Sequence, residues 1–230
     1  MADFAGYGQF CPVAKASEIL AKRWTPLILR ELISGSTGFN EIHRGVPLMS
    51  RPLLSQRLRE LAGSGVVGRS SDGGYQLTEA GQALQPVIQA MGIWGQQWVE
   101  SEANGPDWDA GVLMWDMRRR INTSALPPGR TVLQFDFRDT PAEMRCWWLL
   151  IEDEDVDLCV SDPGYEVDLY VITQVRVMGP IWIGKRALAP AIEQGEIRLH
   201  GRVDLSRSIS HWLMLSVLAE ETRAWLPESG

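Results

Sequence analysis

Histidine and cysteine are scarce in this chain, with three of each among 230 residues. Cys11, Cys146 and Cys159 cannot all pair within one chain, and none stands in a C-x-x-C or other spacing that suits zinc, so reduced thiols and no metal site are expected. His200 and His211 have no Ser, Cys or ligand partner at a recognisable spacing, and a Gly-rich phosphate loop is missing. No catalytic constellation emerges, and a non-enzymatic role without a cofactor is expected. Long apolar runs are missing too. The longest, CWWLLI at 146–151, is far too short to span a bilayer, and the opening MADFAGYGQF has neither a basic nor an apolar leader region. These absences point to a cytoplasmic protein with no membrane partner.

A net charge of either sign is absent from the first part of the chain. The full sequence is acidic, with a formal net charge of −7, yet residues 1–106 hold nine Lys/Arg and nine Asp/Glu, whereas residues 107–230 hold thirteen against twenty. Within residues 12–72 all nine basic groups of the first part face only five acidic ones. Arg51, Arg57, Arg59 and Arg69, with Arg44 just upstream, make much of that excess. A local basic excess on an acidic chain is the electrostatic footprint of a nucleic-acid contact. Length and a 45% apolar composition allow two packed domains.

Val13, Ala16, Ile19 and Leu20 in PVAKASEILAKRW recur at spacings of three and four, the stripe of a short amphipathic helix. Thr25 followed by Pro26 reads as an N-cap and first helical position, with the apolar LILRELIS running to a stop at Gly35. FNEIHRG is a third helix, broken at Gly45-Val46-Pro47, after which Ser50 is placed to cap a helix over 50–62. In that helix Leu54, Leu58 and Leu61 share the core side. Turning 100° per residue then points Pro52, Ser55, Gln56 and Arg59 outward, with Arg51 in the first turn and Arg57 on the flank. VVGRSS and YQLT flank SDGG, the pattern of a tight hairpin. Three helices and a hairpin predict a winged helix, which lays its last short helix in the major groove of DNA and sets the hairpin against the flanking backbone. The candidate contacts are Arg51, Ser55, Gln56, Arg57 and Arg59 on the helix and Arg69 in the wing, whose tip, Ser70-Ser71-Asp72, is not basic.

In their order and short gaps, CPVAKASEIL, KRWTPLILREL, GFNEI, LLSQRLREL, GVVGR and YQLTEAG resemble the HxlR-type winged helix regulators, relatives of the MarR group. The resemblance covers about residues 11–100. It implies a cytoplasmic homodimer on a palindromic double-stranded DNA operator, read by one recognition helix per subunit, here residues 50–62. Two departures stand out: Gly38 occupies a position usually basic, and Ser50-Arg51-Pro52 replaces the usual Ser-Pro-Arg order. Some members carry an oxidation-sensing cysteine where Cys11 stands, directly before the first helix, and this makes Cys11 a candidate redox residue.

Thr78 can cap a long helix to about residue 102, in which Leu84, Ile88, Met91, Trp94 and Trp98 follow a three-and-four pattern and Pro86 should introduce a kink. That stripe exceeds what one small domain can cover, so these five residues are the candidate dimer interface. Half-site readers need such a fixed dimer.

Around ANGPDWD the helical pattern stops, and a domain boundary is expected there, dividing 1–105 from 106–230. A helix from Asp109 through RRRIN comes next, followed by strands at TVLQFDF, MRCWWLLIE, DVDLCVSD and VDLYVIT. A helical stretch at 179–194, the strand EIRLHG and a last helix at 206–225 complete the pattern. The expected fold class is a mainly α winged helix-turn-helix domain followed by an α+β domain with an antiparallel sheet. Arg118-Arg119-Arg120 reads as a solvated helix face, with an interdomain or DNA-backbone role as the other option. The order strand, helix, helix and EIRLHG, with VLQFDF and WWLLIEDEDVDLCV before it, resembles the sterol carrier protein type two domain, over about residues 110–226. Glu152-Asp153-Glu154-Asp155 occupies that family's usual glycine turn. The resemblance implies a tunnel for an apolar molecule, lined here by Trp147, Trp182, Leu188, Ile192, Trp212 and Leu213, although such residues also suit a solid core. The reading of the whole chain is a dimeric transcription regulator whose second domain senses an apolar effector. The alternatives are a thiol-based sensor through Cys11 with a purely structural second domain, and a lipid-binding carrier module.

Overall fold

The computed structural model describes residues 6–99 and 108–219. Two compact units divide the chain between Met91 and Gly92. The expected boundary at 105/106 lies outside the described residues, as do the ends of the helices expected at 78–102 and 206–225.

The first unit contains α1 (Pro12–Leu20), α2 (Thr25–Ile33), α3 (Phe39–Gly45), α4 (Arg51–Gly63), the strands β1 (Val67–Arg69) and β2 (Tyr75–Leu77), and α5 (Glu79–Gln82). Its core is built from Ile28, Leu29 and Leu32 of α2, Ile42 of α3, and Leu54, Leu58 and Leu61 of α4. The spacing read from the sequence is therefore the spacing that is buried. β1 and β2 pair antiparallel, with Val67 opposite Leu77 and Arg69 opposite Tyr75, closing the wing. Both strands are shorter than the sequence runs suggest.

The caps differ from expectation in two places. Thr25 does not cap α2. Trp24 takes the N-cap position at φ 77°, and Thr25 is the first helical residue, its hydroxyl buried without a partner among the described residues. Ser50 stands at the N-cap of α4 but makes no side-chain cap hydrogen bond, so Pro52, with its preset φ, does more to start this helix. Gly35, at φ 91°, ends α2 as expected, in a conformation that other residues adopt at a cost.

Glu31 is fully buried at the junction of α2 and α3. Its carboxylate accepts hydrogen bonds from Arg30 Nη2 at 2.9 Å and Ser36 Oγ at 3.4 Å, and the same Arg30 Nη2 donates to the Gly45 carbonyl at 2.9 Å. A Cβ on Gly45 would stand 1.9 Å from Glu31 Cδ. The glycine that breaks the third helix is thus also the space a buried carboxylate fills.

The single helix expected after the wing is two. Thr78 caps α5, accepting a hydrogen bond from the Gly81 N–H at 3.2 Å, and the chain turns before α6 (Gln85–Trp98). Pro86 lies in the first turn of α6, where its missing N–H costs nothing, so it starts a helix instead of kinking one.

The second unit contains α7 (Ala110–Arg118), β3 (Arg130–Phe137), β4 (Cys146–Glu152), β5 (Asp155–Cys159), β6 (Leu169–Thr173), α8 (Val175–Trp182), α9 (Leu188–Glu193), β7 (Arg198–Gly201), α10 (Val203–Arg207) and α11 (Ile209–Trp212). The strand order is β5-β4-β3-β6-β7. The sheet is mixed, not antiparallel: β3 and β6 run parallel, from Leu133 opposite Leu169 to Phe137 opposite Thr173, while the other pairs are antiparallel. Alternation within a strand reports which side is buried but not which neighbour the strand takes, and β6 takes β3 at the middle of the sheet. Leu133, Phe135, Phe137, Leu149 and Val171 form the buried side, against Met114 of α7 and Met178 and Trp182 of α8. The helical stretch expected at 179–194 is divided into α8 and α9 at Gly184, φ 79°. Over 203–212 the last helical stretch is divided into the short α10 and α11, and residues 217–219 are helical again. Among the described residues no helix is long and apolar enough to cross a membrane.

Candidate DNA-binding face

α4 presents the site. Burying Leu54, Leu58 and Leu61 rotates Gln56 and Arg59 to the exposed side, as 100° per residue requires. Arg59 makes no hydrogen bond or ion pair among the described residues, and its guanidinium keeps all its donors available. Gln56 donates through Nε2 to Glu60 Oε1 at 3.0 Å, which orients the amide along the helix and leaves its carbonyl oxygen open. Ser55 is half-buried on the flank.

Arg51 is exposed but held. Its Nη2 donates to Asn40 Oδ1 at 2.6 Å, and its guanidinium lies 5.1 Å from the centroid of the Phe39 ring. Phe39 and Asn40 open α3, so the first helix of the pair sets the direction of a side chain on the second. Neither residue was expected at the site, and their polar and aromatic character alone does not announce that role. Arg57 is corrected. With its side chain 15% exposed, it turns to Glu60, which also binds Lys22 Nζ at 3.2 Å. Through Glu60, not through Arg57 itself, α4 is linked to Lys22, just past the end of α1. The Gln56 amide, then Lys22 and Arg57, hold the Glu60 carboxyl below the usual range.

In the wing, Arg69 lies 4.0 Å over the Tyr75 ring and donates to the Gly73 carbonyl at 2.8 Å and to Tyr75 Oη at 3.0 Å. These contacts use part of its fork and fix its direction. Asp72 at the tip is held below the ordinary carboxylate range by the Ser70 hydroxyl and then by the Gly74 N–H, so the tip stays anionic.

The five residues expected at a dimer interface separate into two groups. Leu84 and Ile88 pack on the core of the first unit. Met91, Trp94 and Trp98 are 49%, 61% and 67% exposed, and at i, i+3 and i+7 they share one side of α6. Phe10 and Val13, beside Cys11 at the start of α1, are exposed as well.

Among the described residues, the six side chains expected to line an apolar tunnel pack in or against the core of the second unit. Trp147, Trp182, Trp212 and Leu213 are buried core side chains, with Leu188 and Ile192 packed against them. Trp212 Nε1 donates to the Leu205 carbonyl at 2.9 Å and Trp147 Nε1 to the Met144 carbonyl at 2.7 Å, so each ring is anchored within the unit. The arginine run is absorbed there too. Arg118 stacks on Trp115 and donates to the Val156 carbonyl, Arg119 pairs with Asp116, and Arg120 Nε donates to the Leu215 carbonyl.

The helices α2, α3 and α4, a two-stranded wing and an exposed, partly preset polar face on α4 define a winged helix-turn-helix protein. A family model for the HxlR-like helix-turn-helix matches residues 19–103. The HTH-type transcriptional regulator YvaP of Bacillus subtilis is 38% identical over 99 residues, spanning 40% of this chain and 92% of its own length. YodB of the same organism is 38% identical over 97 residues, spanning 39% and 87%. The chain belongs to the HxlR-like helix-turn-helix family. Among solved structures, quinone-bound YodB from B. subtilis is 40% identical and covers 38% of this chain and 99% of its own, with a TM-score of 0.35.

Proposed function

We propose that the chain is a DNA-binding transcription regulator that works as a homodimer. The observation that carries this reading is the outward side of α4, where Arg59 is free and Gln56 exposed on a helix whose other side is locked by three buried leucines. Arg and Gln present forked donors and acceptors that match G and A edges in the major groove, and Arg51 and Arg69, each aimed by an aromatic ring, supply backbone contacts. Family membership supports the same assignment. The dimer reading rests on Met91, Trp94 and Trp98, three large apolar side chains left in water on one side of α6, which a second copy would cover. The apolar-effector role of the second unit has no part in this proposal, because the side chains invoked for it fill the core.

Selection from a random duplex pool tests the proposal directly. The full chain should enrich an inverted repeat with half-site centres about 10 base pairs apart or a multiple of that, set by one helical turn between recognition helices. Enrichment of no repeated motif would overturn it.

A specific observation favours one additional layer, control by oxidants. Cys11 stands at the N-cap of α1, where the N–H groups of Ala14 and Val13 lower the pKa of its thiol, whereas burial raises those of Cys146 and Cys159. A lowered pKa means more thiolate at neutral pH. Cys11 should therefore alkylate faster than the other two between pH 6 and 8 by mass spectrometry, and its oxidation should change operator affinity while Cys11→Ser abolishes the change. Equal alkylation rates at the three sites remove this layer and leave the DNA-binding proposal standing.

A further inference from the structure

The second unit is acidic as a whole, yet arginines also gather at the carboxyl ends of the parallel strands β3 and β6, apart from the run at 118–120. A surface cavity of about 150 Å³ opens there. Arg138 follows β3 directly, and its backbone N–H donates to the Thr173 carbonyl at 2.8 Å. Arg198 stands on β7 opposite Ile172. β6 thus ends between two strands that each bring a guanidinium, and Ile172 and Val177 supply the apolar part of the wall. Ligand sites in open sheets with parallel strands favour these carboxyl ends.

The charges do not cancel. Arg138 Nη2 pairs with Asp136 Oδ2 at 2.7 Å, but Asp136 is shared with Arg145, whose Nε lies 2.6 Å from Oδ1. Glu196, which also lines the cavity, is paired with Arg186. Three guanidiniums therefore share two carboxylates, and the side chain of a fourth, Arg198, has no hydrogen bond or ion pair among the described residues. Two further charges of opposite sign lie at the start of α8: Asp139, in the segment after β3, accepts from the backbone N–H groups of Val175 and Arg176, and the Arg176 side chain donates through Nε to Gln174 Oε1 at 2.7 Å. The Gln174 amide nitrogen keeps its donors free among the described residues. Thr173 is committed to the Glu196 carbonyl at 3.1 Å.

We propose that this cavity binds a small organic carboxylate, its carboxyl group held between Arg138 and Arg198 and its apolar body against Ile172 and Val177. A guanidinium fork meets a planar carboxylate in two parallel hydrogen bonds. A cavity of this volume admits a body about the size of a benzene ring. Glu196 in the cavity wall, and Asp136 paired with Arg138, would repel a dianion more than a monoanion, so a singly charged carboxylate fits better than phosphate. The site is independent of the DNA-binding proposal and is tested without DNA.

The test uses the full chain at low ionic strength, with benzoate as probe and benzamide and inorganic phosphate as comparators, read by ligand-detected NMR and calorimetry. Benzoate should saturate one site per chain with a Kd of about 1 mM or below. Benzamide, which lacks the charge, and phosphate should bind at least roughly tenfold more weakly. Arg198→Ala removes an exposed, unpartnered side chain, so the fold is retained, and affinity for benzoate should fall roughly tenfold or more. Arg202→Ala, which removes a surface arginine paired with Asp168 and Asp204, should leave benzoate affinity unchanged. Failure of benzoate to saturate, equal binding of benzamide or phosphate, or unchanged affinity in Arg198→Ala would each overturn the proposal.

Discussion

Gly45→Ala offers the sharpest check on how the helix pair is held. The added Cβ would lie 1.9 Å from Glu31 Cδ and 2.2 and 2.3 Å from its two oxygens, where ordinary contact begins at 3.4 Å. Glu31 is fully buried, and Arg30 binds both its carboxylate and the Gly45 carbonyl, so neither side can move without breaking hydrogen bonds. Breaking a buried ion pair costs about 3–5 kcal/mol. Arg30 is 35% exposed, so solvent screens part of that loss, and alanine regains about 1 kcal/mol of helix propensity over glycine. The net expectation is a destabilisation of about 2–3 kcal/mol. In a Glu31→Ala background the same added methyl group enters vacated space, and the second substitution should be neutral or stabilising by up to about 1 kcal/mol. The coupling energy in the double-mutant cycle is therefore about 3 kcal/mol. It is measured by urea unfolding at one fixed protein concentration, with hydrogen exchange of peptides from residues 25–45 reporting the opening of α2 and α3. Additivity within about 0.5 kcal/mol would refute the argument that Glu31 and Gly45 share one space.

Three more outcomes follow from the same geometry. On the selected operator, Arg59→Ala should cost about 1–3 kcal/mol by fluorescence anisotropy, with a much smaller loss on random duplex, and equal losses on both would reassign Arg59 to phosphate. Met91→Asp should give folded monomers by light scattering, since burying an unpaired carboxylate in a subunit contact costs several kcal/mol, whereas Leu84→Asp should unfold the first unit; a folded Met91→Asp dimer would place the contact elsewhere. The lowered pKa of Glu60 contributes stability that is present above the unfolded-state value and is lost as pH falls through the folded-state value. Acid should therefore loosen the link from α4 to Lys22 below the ordinary carboxylate range, and Glu60→Gln should remove that part of the pH dependence in urea titrations.

Much of the first unit was legible in order because its signals are local. The three- and four-residue spacing of Leu54, Leu58 and Leu61 settles which side of α4 is buried, and the outward position of Gln56 and Arg59 follows by rotation alone. Gly35 ends α2 for a reason contained in one residue, its freedom to adopt a positive φ. Where the signal was a single residue with two possible uses, the reading failed. Thr25 and Ser50 are good capping types, but neither side chain caps its helix, and Pro86 suits a helix start as well as a kink.

What tertiary structure decided is every pairing between groups distant in the chain. Arg57 and Arg59 are two residues apart and chemically alike, yet Arg57 is drawn to Glu60 beside Lys22 of another segment, and Arg59 is left free. Arg51 takes its direction from Phe39 and Asn40, and Trp147, Trp182 and Trp212 become core because the elements that carry them close on one another. The sheet shows the same division: alternation along each strand determined its buried side, but only the assembled sheet put β6 parallel to β3 and so brought Arg138 and Arg198 to either side of one strand end. Periodicity is a property of neighbours along the chain, and a sequence carries it outright. A pairing across the fold is settled by which partners packing brings within reach, and no local pattern contains that distance.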